Sequence, residues 1–161
     1  MRYDAGRGLV LLGDGKGRFS ALSGDESGIK VYGDQRGAAV ADFDGDGRLD
    51  LAVTQNAGAT RLYRNQSAEP GLRVELRGTA LNPQGLGAVI QSKNGDHWGP
   101  ARELHGGGGY WSQDSATQVL GGPGVAREIK VRWPGGKTAT FPVPPKAKDI
   151  VVDANGTLTA R

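Results

Sequence analysis

Short runs of alternating apolar and polar residues make up most of this sequence. In the segment 72–77 (LRVELR) every second side chain is apolar, which is the pattern of a β-strand with one buried face. No run shows the 3.6-residue repeat of a convincing helix. The pattern therefore predicts an all-β chain, with strands in the segments 8–13, 18–22, 37–42, 49–54, 59–64, 72–77, 87–93, 128–133, 138–143, 149–153 and 157–160.

Turn signals separate these predicted strands. The sequence contains 28 glycines without a collagen-like repeat, so we expect the glycines in turns. The segments 13–17 (GDGKG) and 155–156 (NG) each predict a hairpin. The polar segment 65–71 (NQSAEPG) is the best candidate for a domain boundary. We therefore predict two units, 1–66 and 71–161, of which the second is an antiparallel β-sandwich or a barrel-like domain.

Composition and charge exclude several classes of function. The formal net charge is +3, and the 20 lysine and arginine residues are dispersed along the chain, which argues against nucleic-acid binding. The sequence contains no cysteine, which rules out disulfides and thiolate chemistry. No stretch approaches the roughly 18 apolar residues of a membrane span. We therefore expect neither a nucleic-acid partner nor a membrane-spanning segment.

The segment 42–50 (DFDGDGRLD) carries the clearest chemistry. Position 6 of this loop is a glycine, and positions 1, 3, 5 and 9 are the aspartates Asp42, Asp44, Asp46 and Asp50. Carboxylate oxygens at alternate positions suit Ca²⁺, which takes about six to eight oxygen ligands. Four carboxylates this close repel one another unless a cation neutralises them. The loop therefore predicts a calcium site.

Calcium explains this loop better than the alternatives do. A solvated acidic turn accounts for aspartate and glycine as turn residues, but not for the alternate spacing between two predicted strands. An EF-hand needs a glutamate at position 12, where Val53 stands, and Mg²⁺ prefers fewer protein ligands. We expect the backbone carbonyl of Arg48 to be a further ligand, with the Arg48 side chain pointing away. We also expect the ion to be structural, because it would fix a turn between two strands.

Patterns of catalytic residues are weak. The two histidines, His97 and His105, form no zinc motif, and we expect both at the surface. Glu103, His105 and Asp114 could be combined as an acid–base set, but nothing in the sequence fixes a separation between them. Ser112 does not lie in a nucleophile elbow. We predict that the chain is not an enzyme.

Aromatic residues beside a glycine run are the best candidates for ligand contact. Four glycines at 106–109 allow a mobile loop or a close backbone approach. If exposed, Trp98, Tyr110 and Trp111 could stack on a sugar or on a partner protein. The alternative is that these rings fill the core of a small sandwich, which we also expect of Trp133.

Both halves of the chain resemble known families. The segment 37–56 (GAAVADFDGDGRLDLAVTQN) resembles one FG-GAP, or VCBS-type, repeat of integrin-like β-propellers, in which the loop between two strands binds Ca²⁺. Residues 72–153 resemble the ASPIC/UnbV domain through LRVELRGT, GLGAVI, GYWSQ and VRWPGG. That domain commonly follows such repeats in secreted bacterial proteins and in the cartilage acidic protein family. A propeller needs about four to eight blades, so we expect this chain to be part of a longer one.

Together, these features predict an extracellular or periplasmic calcium-binding module for adhesion to, or recognition of, a protein or glycan. One alternative is a dedicated carbohydrate-binding module that uses Trp98 and Trp111. A second alternative is an accessory or catalytic part of a hydrolase. A third is a calcium-stapled cap that ends a propeller.

Overall fold

The computed structural model describes residues 8–122 and 126–161 and consists almost entirely of β-structure. The prediction of an all-β chain is confirmed. In chain order the elements of the described residues are β1 Val10–Gly13, β2 Phe19–Leu22, α1 Gly24–Ser27, β3 Gln35–Ala41, β4 Asp50–Gln55, β5 Gly58–Tyr63, β6 Leu72–Arg77, β7 Val89–Asn94, β8 His97–Trp98, β9 Arg102–Glu103, β10 Gln118–Leu120, β11 Glu128–Arg132, β12 Thr138–Pro142, β13 Asp149–Asp153 and β14 Leu158–Ala160.

The N-terminal part contains a hairpin, one helical turn and a three-stranded sheet. β1 pairs with β2 across the predicted glycine-rich turn, and β3, β4 and β5 form an antiparallel sheet in that order. The helix α1 was not predicted from the sequence. It begins with a capping box, in which the side chains of Ser23 and Glu26 each accept a hydrogen bond from the backbone N–H of the other, and the alternation of apolar and polar residues does not reveal such a box. No helix in the described part of the chain is long and apolar enough to cross a lipid bilayer.

The C-terminal part is a sandwich of two sheets. One sheet has the strand order β10-β6-β13-β14, and the other has the order β12-β11-β7-β8, with β9 also paired to β7. Neighbouring strands run antiparallel except β6 and β13, which run parallel with Val74 opposite Ile150. Neither sheet closes on itself within the described ranges, so the sandwich form of the prediction is confirmed. The predicted division into two domains falls between β5 and β6 and remains a prediction.

Alternating residues from both sheets fill a single core. The side chains with no exposed surface include Val74, Ile90, Ile129, Val131, Ile150 and Val152. Trp133 is 6% exposed and packs into the same cluster, as expected. Burying one such side chain contributes about 1.5–3 kcal/mol to folding. This cluster is therefore the main source of the sandwich's stability.

Hydrogen bonds to backbone groups of β3 and of the loop after it join the three-stranded sheet to the sandwich. The N–H of Ser115 donates to the carbonyl of Val40 at 2.9 Å, and the N–H of Val40 donates to Asp114 Oδ1 at 2.9 Å. The N–H of Gly71 donates to the carbonyl of Gly47 at 2.8 Å. The bond between Gly71 and Gly47 holds the loop that follows β3 next to the first strand of the sandwich, and the other two hold β3 against the segment before β10.

Candidate metal centre

The aspartate loop joins β3 to β4 and turns on two glycines. Gly45 has a φ of 77° and Gly47 a φ of 82°, in the left-handed region that favours glycine. A Cβ at Gly47 would lie 3.2 Å from the carbonyl oxygen of Gly71 and 3.2 Å from Cβ of Pro70. A side chain at position 47 would therefore strain the turn and push the loop away from the sandwich.

Three of the predicted ligands lie together in this loop. Asp42, Asp44 and Asp50 each offer a carboxylate oxygen, and these oxygens lie within 4.8 Å of one another. Within residues 8–122 and 126–161, no second group of three acidic or histidine side chains comes this close. Three negative charges at such distances repel one another unless a cation lies among them. The oxygen-only donor set suits Ca²⁺.

Burial makes this cluster depend on its hydrogen-bond donors. The Asp42 side chain is 1% exposed, and Asp50 is 4% exposed. Asp50 accepts hydrogen bonds from the backbone N–H groups of Phe43 at 3.1 Å and Asn65 at 2.8 Å. Asp42 Oδ2 accepts one from the N–H of Gly47 at 2.9 Å, whereas the buried Oδ1 has no hydrogen-bond partner. Because a buried polar atom without a partner is unfavourable, a cation bound to Asp42 Oδ1 fits the site.

Asp46 lies outside this group of three and is held by arginines. Its Oδ2 lies 3.0 Å from Arg48 Nη1 and 3.5 Å from Arg64 Nη2. Burial opposes ionisation of Asp46. Hydrogen bonds from the side chain and backbone of Arg48, with the charges of Arg48 and Arg64, outweigh burial and hold the pKa of Asp46 below its ordinary value. Ligation by Asp46 remains a prediction.

The Arg48 side chain turns towards the loop. Besides its contact with Asp46, its Nε donates a hydrogen bond to the carbonyl of Ala68 at 2.5 Å. The charge-assisted hydrogen bond to Asp46 holds this side chain beside the loop, and the expectation that it points away from the ion remains a prediction. Coordination by the backbone carbonyl of Arg48 remains a prediction.

Two further arginine contacts could not be inferred from the loop sequence. Arg73 Nε lies 3.1 Å from Asp42 Oδ2, and Arg64 Nε lies 2.6 Å from Asp44 Oδ2. The alternation of 72–77 places Arg73 on the outer face of β6, away from the core. Only the packing of the loop on that face shows that Arg73 reaches the metal cluster.

The predicted aromatic ligand residues separate into two places. Trp111 is 88% exposed and Tyr110 is 66% exposed, so the alternative that they fill the core is wrong. Their ring centroids lie 6.1 Å apart, and the rings are tilted by 48°. Trp98 lies on β8, is 37% exposed, and has Lys130 Nζ 4.3 Å from its ring centroid. The exposed aromatic pair is therefore Tyr110 and Trp111, and the face of Trp98 is in contact with a lysine.

The weak acid–base set lines one cleft of about 230 Å³. Within it, His105 Nδ1 lies 3.7 Å from Glu103 Oε1, and both side chains are about half exposed or more. Asp114 Oδ1 is occupied by its hydrogen bond from Val40. The structure thus brings Glu103, His105 and Asp114 together, with Asp114 holding β3 and the other two facing solvent. His97 is also exposed, as expected.

Comparison with known families gives two matches. The profile described as ASPIC and UnbV matches residues 78–158, which include most of the sandwich. The profile described as FG-GAP-like repeat matches residues 2–53, which include the three clustered aspartates. The two matches follow each other in the order that the resemblance implied. A comparison with curated proteins gives no match.

Proposed function

The chain belongs to the ASPIC and UnbV family, with an FG-GAP-like repeat ahead of the family domain, and on this basis we propose a calcium-binding module for adhesion or recognition that carries out no catalysis. The pair of domains fits an extracellular, propeller-associated module. FG-GAP repeats are typical of extracellular proteins and typically bind calcium. In this proposal the partner of the chain is a protein or a glycan outside the cell or in the periplasm.

The observation that carries the calcium proposal is the buried Asp42 carboxylate. Its Oδ1 lacks a hydrogen-bond partner, and Asp44 and Asp50 bring two more carboxylates to the same place. Ca²⁺ would supply positive charge and accept oxygen ligands from all three residues. Because the three residues come from the loop and from the start of β4, an ion shared by them would tie the two together. Its binding free energy would then contribute to folding.

Melting the full chain in calcium and in EDTA tests this proposal. At a free calcium concentration 100 times Kd, binding stabilises the fold by about 2.7 kcal/mol, which corresponds to a rise in Tm of about 5–10 °C. We expect Asp44→Asn to lose most of this rise, because the variant removes one of the three clustered carboxylate charges. The amide oxygen can still accept the hydrogen bond from the N–H of Asp46, so the loop itself should be little disturbed. The matched control Asp96→Asn removes a carboxylate from an exposed turn outside the cluster and should keep the whole rise. Equal melting of the unmodified chain in calcium and in EDTA would contradict the proposal.

A second candidate, a carbohydrate-binding module, is favoured by the loop that carries Trp111. Trp111 has a φ of 50°, in the left-handed region that is unfavourable for a bulky residue, and its ring is almost fully exposed. The N–H of Gly108 donates to the carbonyl of Ser112 at 3.1 Å across the turn that contains Trp111. Backbone strain that holds an exposed tryptophan is a reason to suspect a binding role.

A glycan array probed with labelled protein tests this second candidate. If Trp111 stacks on a sugar, Trp111→Ser should lose the glycans that the unmodified chain binds, and its stability should change by less than about 0.5 kcal/mol. Leu81→Ser is the matched control, because Leu81 is 99% exposed and lies in another loop. Binding that survives Trp111→Ser, or an array without bound protein, would exclude a sugar site at Trp111.

A further inference from the structure

Three charged side chains join the metal cluster to the sandwich. Arg73 Nε lies 3.1 Å from Asp42 Oδ2, and Arg73 Nη1 lies 3.7 Å from Asp149 Oδ2. Arg73 stands on β6 and Asp149 on β13, opposite each other in the parallel register. Asp42 belongs to the metal cluster. A single guanidinium group therefore connects the candidate ion site with two paired strands of the sandwich.

These three side chains are largely buried, and their hydrogen bonding is incomplete. The exposed fraction of the side chain is 1% for Asp42, 26% for Arg73 and 23% for Asp149. Each has a buried polar atom without a hydrogen-bond partner, namely Asp42 Oδ1, Arg73 Nε and Asp149 Oδ1. Arg73 Nε is near Asp42 Oδ2, but its N–H is not aligned with that oxygen. Two carboxylates thus share one guanidinium, an arrangement that is unfavourable when buried unless another cation contributes.

The backbone around Arg73 holds the loop against the sandwich. The hydrogen bond from Gly71 to Gly47 lies two residues before Arg73. A Cβ at Gly45 would come within 3.2 Å of Arg73 Nη1, so the loop rests on the guanidinium group. The neighbours of Arg73 along β6, Leu72 and Val74, belong to the hydrophobic core. The loop is therefore in direct contact with a strand of the hydrophobic core, so that a conformational change in the loop can reach that strand.

From these contacts we infer that Arg73 is a positioning residue that couples calcium binding in the loop to the stability of the sandwich. Asp149 is its second anchor. This inference rests on the proposed function, since it requires calcium at the cluster of Asp42, Asp44 and Asp50. An ion there neutralises the negative charge of Asp42 and holds the loop in one conformation. Arg73 contacts both Asp42 and Asp149, and in this way it links the ordered loop to β6 and β13. Without Arg73 the ion stabilises only the repeat.

Tryptophan fluorescence measures this coupling in the full chain. Trp133 lies in the sandwich core, so its emission reports unfolding of the sandwich, and a Trp98→Phe, Trp111→Phe background removes the other two tryptophans. Each variant is titrated with CaCl₂ by calorimetry and then melted in EDTA and in saturating calcium. In the background protein, calcium should raise the melting temperature reported by Trp133. In Arg73→Gln that rise should fall to nearly zero although calorimetry still records calcium binding.

Two further variants make this result specific. Arg77→Gln is the matched control, because Arg77 lies on the same face of β6 and pairs with Glu75 at 3.0 Å rather than with the loop. It should keep the whole calcium-induced rise. Asp149→Asn should reduce the calcium-induced rise without removing a member of the metal cluster. If Arg73→Gln does not fold, a rise in Asp149→Asn equal to that in Arg77→Gln overturns the inference.

The outcomes separate a coupling role from a purely structural one. A purely structural Arg73 would lower the melting temperature equally in EDTA and in calcium. A calcium-induced rise in Arg73→Gln equal to that in Arg77→Gln therefore overturns the inference and leaves the proposed function standing. If calorimetry records no calcium binding to the background protein, the proposed function itself fails.

Discussion

Replacing Asp50 with alanine is expected to destabilise the chain by about 2–4 kcal/mol in EDTA and to abolish the further stabilisation by calcium. Asp50 is 4% exposed, and its two oxygens accept hydrogen bonds from the N–H groups of Phe43 and Asn65. Alanine leaves both donors without that partner at a partly buried site. It also removes one of the three clustered carboxylates. Urea unfolding in EDTA and in calcium measures the two effects separately.

Asp50→Asn is the control that divides these contributions. The amide keeps one acceptor oxygen, so the loss of stability in EDTA should be about half that of Asp50→Ala. The charge is lost in both variants, so both should lack the response to calcium. If Asp50→Ala retains the calcium response of the unmodified chain, Asp50 is not part of the ion site.

Replacing Ile150 with alanine should have the second large effect, a loss of about 3–5 kcal/mol. Ile150 has no exposed surface, and it lies on β13 between β6 and β14. Truncation removes three carbon atoms from the centre of the sandwich and leaves a cavity that neighbouring side chains fill only in part. Chemical denaturation monitored by Trp133 fluorescence in the Trp98→Phe, Trp111→Phe background measures the loss, because Trp133 packs in the same cluster.

Ile150→Val provides the scale for this measurement. It removes a single methylene at the same position, and it should lower the free energy of unfolding by about 0.5–1.5 kcal/mol. If Ile150→Ala lowers the free energy of unfolding no more than Ile150→Val does, the interior at Ile150 is not closely packed, and the assignment of a single continuous core is wrong.

The strands could be predicted from the sequence because one face of each is buried. In β6 the residues Leu72, Val74 and Leu76 are buried, and the alternation that predicted the strand is the alternation seen in the fold. The strands β8, β9 and β10 have only two or three residues, and no alternation can be recognised over so short a run. Pairing with β7 and β6 defines them. The strand β14 also has three residues, but the hairpin signal at 155–156 marks its position in the sequence.

Parallel pairing was the feature of the fold that periodicity could not reveal. The strands β6 and β13 are separated by six other strands in the chain, and alternation gives the same signal for either direction. Their register places Arg73 opposite Asp149, and from this pairing the link to the metal loop follows.

Only the aspartates within the loop of the candidate metal centre could be predicted from the sequence. Asp42, Asp44 and Asp50 could be proposed from spacing, because a sharp turn brings alternate side chains of a short loop to one place. The arginines could not, because Arg64 and Arg73 reach the aspartates from outside the loop. The exposure of Trp111 also depends on tertiary packing, since tryptophan is common both in cores and at binding surfaces.

Calcium binding by the Asp42, Asp44 and Asp50 cluster is measured most directly by calorimetric titration of CaCl₂ into the chelator-stripped full chain. The titration should extend to about 10 mM, tenfold above the weakest Kd of extracellular calcium modules, which is about 1 mM. We predict one calcium ion per chain, weaker binding of Mg²⁺, and no binding of calcium to Asp50→Ala. A flat titration of the unmodified chain, or an isotherm that Asp50→Ala reproduces, would contradict a calcium site in this loop.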